Sequence, residues 1–295
     1  MKKHGLTIFI ILLLLVGLGV MLYPTISDWY VRYTLSQEIG EYNEVLEGKG
    51  EDFSDLWEDA EDYNRYLLGK DFQFAMEDGE QSYVGTLLNP MGNGMMGYID
   101  IEKIGVHLPI FQGIEETMLQ SGAGWWLGSS LPTGGRGTHC IITAHTGLVK
   151  AKLFTDIDRL EVGDIFSLSV LDRDMYYEVD QVVVVEPDDI EELLIDPEQD
   201  YVTLYTCYPY GVNTQRLLVR GVRTRPPALE PITQTETGND WLWIAILAAA
   251  LLLLLLILLL ILLIRKKKRQ AENAQQTIEE PNNKSAIKGK RRSNV

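Results

Sequence analysis

Two long apolar runs constrain this chain more than any other feature. Residues 6–23, "LTIFIILLLLVGLGVMLY", follow the basic start "MKK", and residues 241–264, "WLWIAILAAALLLLLLILLLILLI", precede "RKKKR". A helix crossing the hydrocarbon core of a bilayer needs ~20 apolar residues, so the second run reads as a membrane span. The first run lacks an A-x-A cleavage site and continues into a Tyr-Pro and a polar helical pattern. It reads as an uncleaved anchor rather than a signal peptide. Lys and Arg collect on the cytoplasmic flanks of spans. Both termini are therefore expected in the cytoplasm, with residues 24–240 outside the cell membrane.

Charge follows this division. Ten Lys/Arg against three Glu make residues 265–295 net +7, and Lys2 and Lys3 add +2, so the outer segment carries −25 of an overall −16. So acidic a surface argues against nucleic acid as a partner, because phosphates would be repelled. It suits a cationic substrate or a cationic wall, though an acidic face that simply keeps the domain soluble is the plainer reading.

Seven regions follow: a cytoplasmic start (1–5), the anchor (6–23), a helical region (24–80), a β domain (81–225), a Pro- and Thr-rich linker (226–240), the second span (241–264) and a basic tail (265–295). In the helical region, Val31, Leu35, Ile39, Tyr42 and Val45/Leu46 recur at helical spacing. After "EGKGED", a second amphipathic pattern runs through Leu56/Trp57, Ala60, Tyr63 and Leu67. From residue 97 the period becomes two. "GYIDIEKIGVHLPIF", "GTHCIITAH", "IFSLSVL", "MYYEVDQVVVV", "YVTLYTC" and "RLLVRGV" are short β-rich runs. Turn sequences such as "PTGGRG", "LEVGD" and "YPYGVN" separate them, a pattern that predicts a closed barrel or a sandwich.

The chain has two cysteines, Cys140 and Cys207. Cys207 closes a strand ahead of "YPYGVN", and a hairpin centred between Gly211 and Val212 would set it opposite Arg216. A permanent cation beside a thiol favours the thiolate or a developing oxyanion. Cys207 could be a nucleophile, a packing residue, or half of a disulfide with Cys140 in a non-enzymatic tethered scaffold. A nucleophilic cysteine also needs a group to protonate its leaving amine, usually His. Of four histidines, His4 is placed in the cytoplasm and His107 in an apolar strand. His139 and His145 remain, and His145 stands at a strand end beside a Gly turn. Cys140 reads as a small buried hydrophobe, "LPTGG" at 131–135 as a turn, and Trp125-Trp126 as core, with a substrate groove or a membrane surface as the pair's other reading.

"TLYTC" (203–207), Arg216 nine residues later and "AHTGL" around His145 together resemble the sortases of Gram-positive bacteria. "NGMMGYIDIEKIGVHLPIFQG", "SLPTGGRGTHCIITAHTGL", "AKLFTDIDRLEVGD" and "CYPYGVNTQRLLVRG" resemble class C, the pilin-polymerising sortases. The resemblance runs from about residue 28 to 225. It implies a mainly β fold, an eight-stranded barrel with N-terminal helices, flanked here by two transmembrane helices. It implies a transpeptidase that needs neither metal nor other cofactor. Cys207 would attack the Thr–Gly bond of an LPXTG-type sorting signal on a pilin or surface protein. His145 would protonate the leaving amine, Arg216 would steady substrate and oxyanion, and a pilin lysine would resolve the thioester. A wall-anchoring housekeeping sortase and a hydrolytic cysteine protease are the alternatives. Class C enzymes usually carry an Asp-Pro-aromatic lid over the cysteine. Asp55-Leu56-Trp57, within 52–59, stands for it here, with Asp55 facing Arg216 and Trp57 over Cys207. Its other reading is an amphipathic helix start capped by Ser54. Thr143 and Thr206 are candidates to line the pocket.

Overall fold

The alternating segments become eight strands. The computed structural model describes residues 2–49, 52–75, 77, 79–227 and isolated positions between 247 and 266. Strands β1 (Met95–Ile101), β2 (Val106–Gln112), β3 (Ala123–Trp125), β4 (Thr138–Thr143), β5 (Ile165–Val170), β6 (Arg173–Val185), β7 (Asp200–Tyr208) and β8 (Gln215–Thr224) close in the order β1-β2-β3-β4-β7-β8-β6-β5. Closure removes the unpaired edges that an open sheet would present. It also gives the period-two pattern its meaning: Ile99, Ile110, Ile142, Phe166, Leu168, Tyr177, Leu204 and Val219 are buried in one core. Sequence reading anticipated every strand but β3, which has three residues drawn from Ala, Gly and Trp.

Among the described residues, four α-helices precede or interrupt the barrel: α1 (Lys2–Lys49), α2 (Ser54–Leu68), α3 (Glu80–Val84) and α4 (Glu116–Leu119). The helical stripe read from α1 is the face that packs: Leu35, Ile39 and Tyr42 are buried, with Val31 and Leu46 beside them. The Tyr42 hydroxyl donates to Met96 O and accepts from Leu171 N–H, both at 2.8 Å.

Helix α2 closes one end of the barrel. Its Trp57 donates from Nε1 to Asp172 Oδ1 at 2.8 Å, and the Arg173 guanidinium lies 3.9 Å above the indole. Asn64 Nδ2 donates to Leu131 O and Thr133 Oγ1, while its Oδ1 accepts from Leu131 N–H. The "LPTGG" segment is thus a turn clasped by α2, with Leu131 buried and Gly135 N–H donated to Asp200. Ser54 is the first residue of α2 rather than its cap, and its own N–H is donated to Asp52 Oδ1 at 3.0 Å.

Among the described residues no helix is long and apolar enough to cross a membrane. Many side chains of the 6–23 run, and most of 241–264, lie outside the described residues. So do most of the linker and the basic tail.

Candidate active site

The β7–β8 hairpin has the register that the turn sequence predicts: Cys207 pairs with Arg216. The turn is tied by Val212 N–H and Asn213 N–H, both donated to Pro209 O at 3.0 and 2.9 Å. Arg216 Nη1 donates to Asn213 O at 3.2 Å and to Gln215 O at 2.9 Å, which keeps the guanidinium at the mouth of the hairpin.

On the other side of β7 runs β4, parallel to it, with Thr143 opposite Tyr205. The pairing persists beyond the end of β4. Ala144 N–H is donated to Tyr205 O at 3.4 Å, and Thr206 Oγ1 donates to Ala144 O at 2.8 Å. Two positions past Thr143, His145 therefore arrives beside Cys207. Adjacent strands lie ~4.8 Å apart, so Cys207 is flanked by His145 on one side and Arg216 on the other. Cys207 is half-buried and its thiol is free.

His145 is held from two directions. Its carbonyl accepts Phe154 N–H at 3.1 Å, and its Nε2 lies 3.2 Å from Glu116 Oε2 on α4. The Glu116 carboxyl is held below its usual range by a hydrogen bond from Gln120 and by His145. Gly147 has φ +75°, and a Cβ there would stand 3.4 Å from the Tyr210 ring. That left-handed backbone favours glycine, and the loop after His145 lies against Tyr210 of the β7–β8 turn.

Beside Cys207 the outer face of the sheet is aromatic. Tyr205, two residues earlier on the same face, meets Trp126 at 4.9 Å between centroids, and Trp126 meets Phe74 at 6.3 Å. Ile141, Leu218, Val185 and Leu193 complete this cluster. Burial raises the Tyr205 hydroxyl above its usual pKa, with Arg216 opposing, so it stays protonated at neutral pH. Phe74 is brought there by Gln73, whose amide donates to Leu193 O and accepts from Ile195 N–H.

The other expected residues fall into place differently. Thr143 is half-buried on the face of Tyr205 and Cys207. Thr206 corrects the expectation of a pocket-lining residue: it is buried, and its hydroxyl is committed to Ala144 O. Asp55 and Trp57 correct the expected lid. Trp57 is fixed beside Arg173, whereas Val185, twelve positions further along β6, is the register partner of Arg216. Those twelve positions are roughly 40 Å of extended strand, so α2 starts at the end of the barrel opposite Cys207. Its amphipathic face packs on the core instead.

His139 is buried between Leu194 O and Thr203 Oγ1, and burial pushes its pKa down to about 4. It is a neutral structural residue. Cys140 pairs with Val202, five positions along β7 from Cys207. That is roughly 17 Å, well beyond the ~7 Å between Cα atoms that a disulfide tolerates. Among the described residues no group of His, Cys, Asp and Glu could hold a metal ion.

Sequence reading missed Glu116 and Phe74. Of the Trp-Trp pair, Trp125 is the core member, donating to Ser130 O at 2.9 Å, and Trp126 is the one that meets Tyr205.

A family model described as the sortase domain matches residues 99–224. The fold matches sortase C1 of Streptococcus agalactiae with a TM-score of 0.62 and 39% identity, over 64% of this chain and 99% of that one. The chain belongs to the sortase family. Within the sortases its likeness is to class C. Sortase C of Clostridium perfringens, solved with the C-terminal cell wall sorting motif, matches at 44% identity and a TM-score of 0.57, over 65% of this chain and all of that one. Sortase C of Streptococcus pneumoniae, whose structure addresses pilin substrate specificity, matches at 38% identity and a TM-score of 0.56, over 65% and 98%. The chain spans 63% and 59% of the length of the two curated relatives it matches, at 28% and 31% identity.

Proposed function

We propose that this sortase is a membrane-anchored cysteine transpeptidase that joins pilin subunits outside the cell. The observation that carries the reading is the placement of Cys207, on β7, between Arg216 on β8 and His145 just past the end of β4. The Cys207 sulfur attacks the threonine carbonyl of an LPXTG-type signal, and the C=O electrons move onto oxygen. Arg216 stabilises that oxyanion, a contribution worth about 10²–10³ in rate for one well-placed donor. As the Thr–Gly C–N bond breaks, His145 gives its proton to the departing glycine amine, leaving a thioester on Cys207. A lysine amine of the next pilin then attacks the thioester carbon. Its proton passes to His145, and the thiolate leaves.

The half-buried Trp126, packed on Tyr205 and close to Thr143, suits the apolar Leu-Pro portion of such a signal. The sorting motif bound in the Clostridium perfringens structure and the pilin specificity addressed in the Streptococcus pneumoniae one support the substrate class. The two apolar runs support anchoring at both ends of the outer domain, with both termini cytoplasmic and the boundaries given from sequence.

Product analysis tests the reaction type. With a sorting-signal peptide and a lysine-bearing pilin peptide, the enzyme should yield the ligated product. Free acid alone would show a hydrolytic protease. Ligation to a cell-wall amine in preference to the lysine would show a wall-anchoring enzyme.

A further inference from the structure

The anchor-proximal part of α1 and the catalytic residues occupy the same end of the barrel. Tyr42 bonds to Met96 and Leu171, at the end where β5 turns into β6. Fourteen residues earlier, Asp28 Oδ1 accepts Lys152 N–H at 2.9 Å, in the loop that leaves His145, and Asp28 is salt-bridged to Arg32. Two residues beyond Lys152, Phe154 N–H is donated to His145 O. Two residues of chain and one hydrogen bond amount to roughly 10 Å, so His145 stands close to Asp28, which is five residues from the end of the apolar run.

Exposed apolar side chains gather at this same end. On α1, Tyr23, Ile26, Trp29, Tyr30 and Tyr33 are each more than half exposed, and Trp29 stacks on Tyr33 at 5.9 Å. These residues face away from the stripe that packs on the barrel. Among the described residues outside α1, four large apolar side chains are more than 60% exposed: Val149, Val162, Tyr210 and Val212. Val149 follows His145, Val162 lies in the turn entering β5, and Tyr210 and Val212 form the β7–β8 turn. Val149, Tyr210 and Val212 adjoin the catalytic residues, and Val162 follows Glu161, which is bridged to Lys103; the residue after Lys103, Ile104, lines one cavity with Asp28 and Lys152. The α2 end has none so exposed. Trp and Tyr concentrate where a helix meets the headgroup layer, and such anchors set the tilt of the helix.

We propose that the outer leaflet of the bilayer covers this apolar rim, so that the end of the barrel carrying Cys207 faces the membrane. The inference rests on reading residues 6–23 as an anchor, and goes beyond it by fixing which end of the barrel lies down. Helix α1 leaves the bilayer tilted toward its aromatic stripe. The α2 end points away into the wall.

The test uses the full chain in phosphatidylcholine vesicles carrying a headgroup-linked acceptor dye. A donor is placed on Cys207 or, in a Cys207→Ser background, on Glu198→Cys beside β7's opposite end. Energy transfer from position 207 should exceed that from 198, the two being separated by roughly 20 Å or more along the strand. A Val149→Ser/Val162→Ser variant should turn over a soluble signal peptide as the parent does, yet process a vesicle-embedded signal about threefold more slowly or worse. Equal or reversed transfer in a vesicle-retained protein overturns the proposal and leaves the anchor standing. Loss of protein from the vesicles on washing overturns both. Equal slowing on both substrates would assign the rim to a protein partner and also overturn it.

Discussion

Replacing Trp57 separates a lid from a structural clamp. The indole is buried, its Nε1 donates to Asp172, and Arg173 stacks upon it. Truncating a buried Trp to Ala costs ~3–5 kcal/mol. Of that, the hydrogen bond accounts for about 1 kcal/mol and the cation–π contact for about 0.5–1 kcal/mol. Trp57→Phe keeps most of the apolar surface and should lose only about 1–1.5 kcal/mol. The assay pairs urea unfolding of the full chain in detergent with the rate of thiol labelling in native buffer. Cys140 is buried, with its thiol pKa pushed far up by burial, so labelling reads Cys207. Because the two sites share no partner, the Phe variant should label within about twofold of the parent. A variant of unchanged stability that labelled many times faster would place Trp57 over Cys207 and refute the clamp.

Further outcomes follow from the same geometry. Arg216→Ala should lower kcat/KM by about 10²–10³, and Arg216→Lys should fall between, since it keeps charge but not the fork; a loss under tenfold for Ala would remove Arg216 from the oxyanion role. Thr206→Val leaves the Ala144 carbonyl unpaired, at a cost of about 1–3 kcal/mol, and should lower kcat by displacing His145; Thr206→Ser should restore both, which unfolding and peptide-exchange kinetics would show. His139 has a folded pKa of about 4 against 6.5 when exposed. A depressed folded pKa means the unfolded chain binds the extra proton, so this stability is present above pH 6.5 and is lost as pH falls toward 4. It amounts to about 3 kcal/mol, read as the difference in unfolding free energy between the parent and His139→Gln across that window; parallel pH curves would contradict it.

The parts of this fold legible in the sequence are those fixed by local rules. The "YPYGVN" turn sets the Cys207–Arg216 register because a hairpin midpoint determines its pairs, and the α1 stripe gives its buried face because helical period determines facing. What was not legible depends on which surface an element meets. The pattern from Leu56 to Leu67 describes an amphipathic helix equally well at either end of a barrel, and nothing local in it encodes Asp172 or Arg173 as its partners. Phe74 and Trp126 meet under Tyr205 only because Gln73 is pinned to a distant loop. Glu116 reaches His145 from a four-residue helix lacking any periodic signal. Thr206 looked like a pocket residue because alternation places neighbours near the nucleophile, yet the same alternation turns its side chain inward.

The central claim is that Cys207 carries the acyl group between two amines. Intact-mass analysis of the full chain during turnover of a sorting-signal peptide tests it most directly. An adduct of the peptide up to its threonine, mapped to the fragment holding Cys207, is the expected result. A lysine amine should discharge the adduct into ligated product, and neither should appear in Cys207→Ala. Full exchange by Cys207→Ala, or an adduct on another residue, would contradict it.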